Sequence, residues 1–276
     1  MSNKISQVLN HNTIIVEYGE KDWIIFGKGI GFKKKIGDSY DPSLAVNTYL
    51  LLEDDKNRYL QLISKINNDI SYVSERIISD MALEFGNSYN KKIHVSLLDH
   101  LNFAIKRYKD NLEIKHFFDE EVALIYPKEY QFSLKMLGYI NDRLRIRLPR
   151  SEAAMIALHI NSCLHSEDIK KTSYIVNIVS DVLNYLENEY GMITDDLLKS
   201  RFIVHLKFSI KRRLDNINLN NDLEELIKLK YQRSYNIAKD LNEYLKSKHD
   251  LNFNNSEICF LALHIHNIFN LREDLC

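Results

Sequence analysis

Glycine and proline are scarce in this chain, eight and three among 276 residues. Both interrupt helices, so their scarcity disfavours a turn-rich sandwich or barrel and favours long helices. No run of about 18 apolar residues occurs, which leaves a membrane span unsupported. Residues 1–10 lack the apolar stretch of a secretory signal. Cysteine is sparse too: Cys163, Cys259 and Cys276 stand far apart. An odd, scattered set reads as free thiols in a reducing compartment, so a cytoplasmic protein without membrane insertion is expected. Neither CxxC nor HExxH is present, so the sequence gives no reason to expect a metal or a cofactor.

What is present fits an ordinary globular protein, with 45% apolar and 27% charged residues. The length suits two to three compact domains. A net charge of −1 speaks against a wholly basic nucleic-acid binder. The charge is uneven, however. Residues 1–37 carry Lys4, Lys21, Lys28, Lys33, Lys34 and Lys35 against Glu17, Glu20 and Asp22. A basic head on an acidic body suits phosphate contacts at one end.

An internal repeat organises the remainder. His100-Leu-Asn-Phe-Ala-Ile-Lys-Arg107 matches His205-Leu-Lys-Phe-Ser-Ile-Lys-Arg212 at six of eight positions after a shift of 105 residues. The same shift sets Ser151-Glu-Ala-Ala-Met-Ile-Ala-Leu-His-Ile160 on Ser256-Glu-Ile-Cys-Phe-Leu-Ala-Leu-His-Ile265, with six of ten identical. No gap is needed, since His100–His159 and His205–His264 are both 59 residues apart. Tyr126, Tyr130 and Tyr139 fall on Tyr231, Tyr235 and Tyr244, and Phe85-Gly86 on Tyr190-Gly191. A duplicated domain of about 105 residues follows, too few copies for a solenoid.

Each copy reads as helical. Leu97, Leu98, Leu101, Ala104 and Ile105 keep helical spacing, with Lys106 and Arg107 where the helix dipole favours cations. Pro149 and Ser151 suggest a break and a cap before a second apolar helix. The head differs. Thr13–Tyr18, Trp23–Phe26, Ile30–Lys35 and Thr48–Leu52 are expected strands, with Gly19–Asp22 as a turn. So small a sheet buries little surface alone, which makes a homodimer a physical expectation. The expected architecture is multi-domain: an antiparallel all-β head over 1–56, then duplicated all-α helical bundles over 60–168 and 172–276.

The histidines of the repeat carry the chemistry. His100 lies at the edge of an apolar stripe with Ser96, Phe103 and Arg107, and His205 with Arg201, Phe208 and Arg212. An imidazole so placed can offer one unprotonated nitrogen for phosphoryl attack, and nearby arginines can pair with the anion formed. The phosphoryl group would add about −1.5 to −2 charges. A single histidine at such an edge is usually structural. Repetition of titratable residues is harder to explain by packing. His11, His94, His116, His165, His249 and His266 have no counterpart in the other copy. The His264–His266 spacing hints at a metal site, but positions two apart on a helix do not share a face.

In the head, Asn10-His11-Asn12 precedes a strand, and Gly27–Lys35 joins glycines, Phe32 and four lysines. Glycines admit close approach, an aromatic face can stack on a base, lysines meet phosphates and asparagines read base edges. The same residues also fit an ordinary hairpin with a solvated basic strand. A dinucleotide loop would need a following helix.

Taken in order, LNHN, GKGIGFKKK, DHLNF, ALHI, VHLKF and ALHI resemble the BglG/SacY/LicT family of bacterial antiterminators over nearly the whole chain. The resemblance implies a co-antiterminator RNA-binding domain and two phosphotransferase-system regulation domains. It implies that a dimer binds a leader-mRNA hairpin and prevents an overlapping terminator from forming. RNA contacts carried over fall on Asn10, Asn12, Gly27, Lys28, Phe32 and Lys33. Gln7 stands where several members have lysine. Lys28 stands where some have arginine, whose bidentate fork lysine lacks. Regulatory phosphorylation falls on His100, His159, His205 and His264. The resemblance implies that the sugar-specific transporter component acts through the first pair to switch the protein off. The general phosphocarrier protein acts through the second pair to switch it on. Asp99 before His100, against Val204 before His205, fits different donors. Three other readings remain open: a DNA-binding activator with the same regulatory domains, a metal-dependent enzyme, and a structural dimerisation module. The first needs a helix-turn-helix where the head reads as strands.

Overall fold

A computed structural model describes residues 4–19, 21–112, 119–191 and 196–273. Glu20 of the expected turn, His116 and Cys276 lie outside the described residues. The head is a meander of β1 (Gln7–Asn10), β2 (Thr13–Tyr18), β3 (Lys21–Phe26) and β4 (Asn47–Tyr49), each antiparallel to the next. Two differences from the expected strands stand out. Gln7–Asn10 is a strand, held by pairs such as Val8 with Ile14. Residues 30–35 form no strand. Gly29 and Lys33 take left-handed φ values of 73° and 56°, and Ile30, Phe32 and Lys34 donate to carbonyls three residues back. Successive tight turns replace the ladder, as the glycine content permits.

Both faces of the sheet are covered. Ile14, Val16 and Ile25 point to one side and join Ile5, Ile30 and Tyr40 in a small core. The alternate residues Thr13, Ile15, Ile24, Phe26 and Tyr49 are buried on the other side. There Phe26 meets Tyr72 with ring centres 5.7 Å apart. Tyr49 meets Tyr59 at 6.2 Å. The cover a thin sheet needs is thus supplied by helices of the same chain.

The first copy supplies α1 (Glu53–Ile63), α2 (Asn68–Phe85), α3 (Ile93–Lys109), α4 (Asp119–Ile125), α5 (Pro127–Leu144) and α6 (Ser151–Leu164). The second copy supplies α7 (Ile169–Tyr190), α8 (Asp196–Leu214), α9 (Glu224–Lys230), α10 (Gln232–His249) and α11 (Asn255–Glu273). A shift of 105 carries α4 onto α9 and α5 onto α10 without remainder. Even the left-handed residues correspond: Gly86 with Gly191, Asn111 with Asn216, Arg145 with Asp250. Ser151 is the first residue of α6 and not its cap, and no side chain caps that helix.

Three sequence domains make two compact units. One joins residues 1–119 and 128–169, so the head and the first regulatory copy fold together. The other joins 120–127 and 170–276. In the second unit Glu121 accepts a hydrogen bond from Ser180 at 2.9 Å, and Lys207 lies over the Tyr126 ring. Among the described residues no helix is long and apolar enough to cross a membrane.

A charged cluster joins the head to the first copy. Glu75 on α2 is buried. Its carboxylate accepts from the Tyr49 hydroxyl at 2.8 Å and the Tyr59 hydroxyl at 3.2 Å. The Asn47 amide donates to it at 3.2 Å, and His94 Nδ1 lies 3.0 Å from both its oxygens. The His94 ring stacks on Tyr49 with centres 3.5 Å apart. Burial pushes the Glu75 carboxyl up, but His94, Tyr49 and Asn47 outweigh it and hold the group below the usual carboxylate range. His94, without a twin in the second copy, is therefore a core histidine paired through Nδ1.

Candidate phosphorylation sites and nucleic-acid surface

Each histidine pair comes together across two helices of its copy. In the first, His100 on α3 and His159 on α6 have ring centres 5.1 Å apart, tilted by 39°. In the second, His205 on α8 and His264 on α11 stack at 3.9 Å and 28°. The 59-residue spacing therefore marks one constellation built twice.

The two constellations differ in exposure. His159 is only 8% exposed, and its Nδ1 lies 3.3 Å from Ser96 Oγ. The His100 side chain is 9% exposed. His205 is exposed and His264 half-buried. A cavity of about 210 Å³ opens beside them, lined by His205, Ser209, Arg212, Leu219, Phe260 and His264 among others. Burial, then the charge of His100, holds His159 well below the ordinary imidazole value. Burial and His205 push His264 down to about 4. Both inner rings are thus neutral near pH 7, with an unprotonated nitrogen.

Each pair also has a carboxylate and an arginine. In the first copy Glu152 lies between them. Its Oε1 accepts from Arg107 at 2.7 Å, and its Oε2 lies 3.1 Å from His100 Nε2. That second contact is close but poorly aligned for a hydrogen bond, so it counts as charge proximity. Glu257 in the second copy is drawn away from the histidines. Arg212 donates to both its oxygens, at 2.6 and 2.9 Å, and Ser209 donates at 2.7 Å. Among the described residues no carboxylate makes an ion pair with His205. Burial raises both carboxyls. His100 and Arg107 outweigh this for Glu152, and Arg212 and Ser209 for Glu257, so both stay below the usual range.

Sequence reasoning pointed to the histidines and arginines but missed these carboxylates. The signal was there: Glu152 and Glu257 stand at the same place in the repeat, beside Ser151 and Ser256. No cluster of His, Cys, Asp and Glu among the described residues has the arrangement to hold a metal ion.

In the head, the residues expected to touch RNA separate into two kinds. Lys28, Phe32 and Lys33 are exposed, Phe32 by 52%. His11 meets the Phe32 ring edge-on at 5.3 Å, and Lys33 lies over it at 5.4 Å. His11 belongs with this surface, although it was not among the expected contacts. His11, Asn12, Lys28, Gly29 and Phe32 line one side of an open trough of about 680 Å³. Asn67 and Asn68 at the start of α2 line another.

The other expected contacts brace the loops. Asn10 Oδ1 accepts from the Asn12 amide and Asn12 Oδ1 from the Gly29 amide, both at 2.8 Å. Asn10 Nδ2 donates to Ser71 on α2 at 3.4 Å. Gly27 is packed against backbone. It is buried, and a Cβ there would sit 1.9 Å from the Leu44 carbonyl oxygen.

Comparison with known proteins matches these features. Residues 3–58 match the CAT RNA binding domain, and residues 75–163 and 178–268 each match the PRD domain. The chain is 27% identical over 272 residues to a beta-glucoside operon antiterminator of Dickeya chrysanthemi, covering 96% of both chains. It is 29% identical to transcription antiterminator LicT of Bacillus subtilis, over 96% of this chain and 98% of the relative. Protein GlcT of Staphylococcus haemolyticus is 30% identical over 96% of both. The crystal structure of GlcT CAT-PRDI superposes with a TM-score of 0.55 and 32% identity, covering 58% of this chain and 97% of that one.

Proposed function

The chain belongs to the transcription antiterminator family that joins a CAT RNA-binding domain to two PRD domains, and from that premise we propose that it binds a leader-mRNA hairpin as a homodimer. Binding keeps the overlapping terminator from forming. Lys28 and Lys33 meet backbone phosphates, and Phe32 with His11 stacks on an unpaired base. Asn10 and Asn12 hold the loops that present them.

Control comes from phosphoryl groups on His100, His159, His205 and His264. The general phosphocarrier protein acts on the second pair and activates. The sugar-specific transporter component acts on the first pair and silences. The observation that carries this reading is the doubled His–His–Glu–Arg constellation with His205 open at a cavity. A phosphoryl group adds about −1.5 to −2 charges there and biases one dimer arrangement over another. Inverting a 1:99 population requires about 5.5 kcal/mol of differential stability, which several such charges across a symmetric dimer supply.

Gel-shift titration against candidate leader hairpins tests the proposal, with and without phosphocarrier treatment. Affinity is expected to rise with treatment and to fall steeply with salt. A His205→Ala, His264→Ala double variant is expected to lose the response to the phosphocarrier. An undiminished response in that variant removes the activating role.

A further inference from the structure

We propose that the residue one helical turn beyond the outer histidine, Ala104 in the first copy and Ser209 in the second, decides whether that histidine is free to accept a phosphoryl group. The inference rests on the reading that His100 and His205 are acceptors. The duplicated domain supplies its own control, because the other members of the constellation are identical: His100 and His205, His159 and His264, Arg107 and Arg212, Glu152 and Glu257.

Position 104/209 is where the groups that hold the glutamate depart. Ser209 is buried and has a hydroxyl to donate. It gives that hydrogen bond to Glu257 Oε2 at 2.7 Å and accepts one from Arg212 at 3.1 Å. Arg212 then grips both carboxylate oxygens. Glu257 is fully occupied, and His205 stays exposed. Ala104 has nothing to donate. Glu152 keeps one contact to Arg107, and its second oxygen rests 3.1 Å from His100 Nε2. A carboxylate in that place crowds the nitrogen whose lone pair must attack phosphorus. It also repels the incoming anion. Ala104 and Ser209 are thus positioning residues that act through the glutamate. They make the first acceptor guarded and the second open.

The exchange of these residues tests the idea, with Ala104→Ser and Ser209→Ala each made in the full chain. Phosphoramidate serves as donor, since a small molecule needs no protein docking. The imidazole lone pair forms the new N–P bond as the donor's P–N pair leaves on ammonia. The proton from the ring's other nitrogen passes through solvent to that ammonia. Site-resolved mass spectrometry follows the rate at each histidine. A charge-assisted hydrogen bond is worth enough to shift these rates by about tenfold. Ala104→Ser is expected to speed labelling of His100, and Ser209→Ala to slow that of His205. Ser209→Thr, which keeps the hydroxyl, is expected to restore the rate, while a merely structural role predicts equal effects of Ala and Thr.

Carbethoxylation by diethyl pyrocarbonate gives a second measure of nitrogen availability that needs no phosphoryl transfer. If both reagents label His100 and His205 at unchanged rates in every variant, position 104/209 has no such role. If carbethoxylation follows the exchange while neither histidine takes phosphoryl from any donor, the positioning holds and the acceptor reading falls.

Discussion

Replacement of Glu75 by alanine removes the acceptor at the centre of the buried cluster between β4 and α1–α3. The Tyr49 and Tyr59 hydroxyls stay protonated, because burial and the nearby Glu75 charge push both phenols far up. In the variant these donors, with His94 Nδ1, lose their partner inside the protein. An unpaired buried polar group costs about 1–3 kcal/mol, and removal of one member of a buried ion pair about 3–5 kcal/mol. The groups share one carboxylate, so their losses are not additive, and a total of about 3–5 kcal/mol is expected. That is a large share of a typical domain's stability of about 5–15 kcal/mol. Trp23 on β3 is the only tryptophan, so its fluorescence reports the unit that joins the head to the first copy in a denaturant titration. The transition is expected to move to lower denaturant by that amount. Acid should mimic the substitution. Glu75 is held below its unfolded value, so its contribution is complete above about pH 4.3 and is lost as pH falls through the folded value. A loss under about 1 kcal/mol would refute the reasoning, because the cost of stranding a buried donor could not then apply to groups this deeply enclosed.

Two further outcomes are expected. Gly27→Ala drives a Cβ into the Leu44 carbonyl and should destabilise the head by about 1–3 kcal/mol, read by the same fluorescence; an unchanged midpoint would show that the two backbones separate freely. The His264 imidazole should titrate near pH 4 by NMR. Between about pH 6.5 and that value the unfolded chain binds a proton the fold refuses, so acidification through the window weakens the second unit; a midpoint above about 6 would contradict the burial of this ring.

Much of this arrangement was legible in the sequence because duplication repeats chemistry at fixed distance. The 105-residue shift located both histidine pairs, the arginines and, unread, the glutamates Glu152 and Glu257. It could not say that Glu152 reaches His100 while Glu257 does not, since that depends on how side chains meet across two helices. The strand over 30–35 failed because Lys33 adopts a left-handed conformation that only its turn context favours. β1 was missed because Gln7–Asn10 has too little β-branched content to stand out and is fixed by pairing with β2. The union of head and first regulatory copy was hidden for another reason. Tyr49, Tyr59, Glu75 and His94 are far apart in sequence, and three-dimensional packing alone makes them neighbours.

That union governs how information can travel in the molecule. A tether lets its two ends forget each other, whereas a shared interior does not. Because the lower side of the transcript-reading sheet is roofed by α1 and α2, neither part can loosen without uncovering apolar side chains of the other. Residues 4–112 and 128–169 should therefore melt in one cooperative step, and deuterium uptake in β3 should rise and fall with that in α2. A chemical event that disturbs the first pair of imidazoles would then be felt at the loop that carries Lys28, Phe32 and Lys33 as a change in rigidity, with no hinge required.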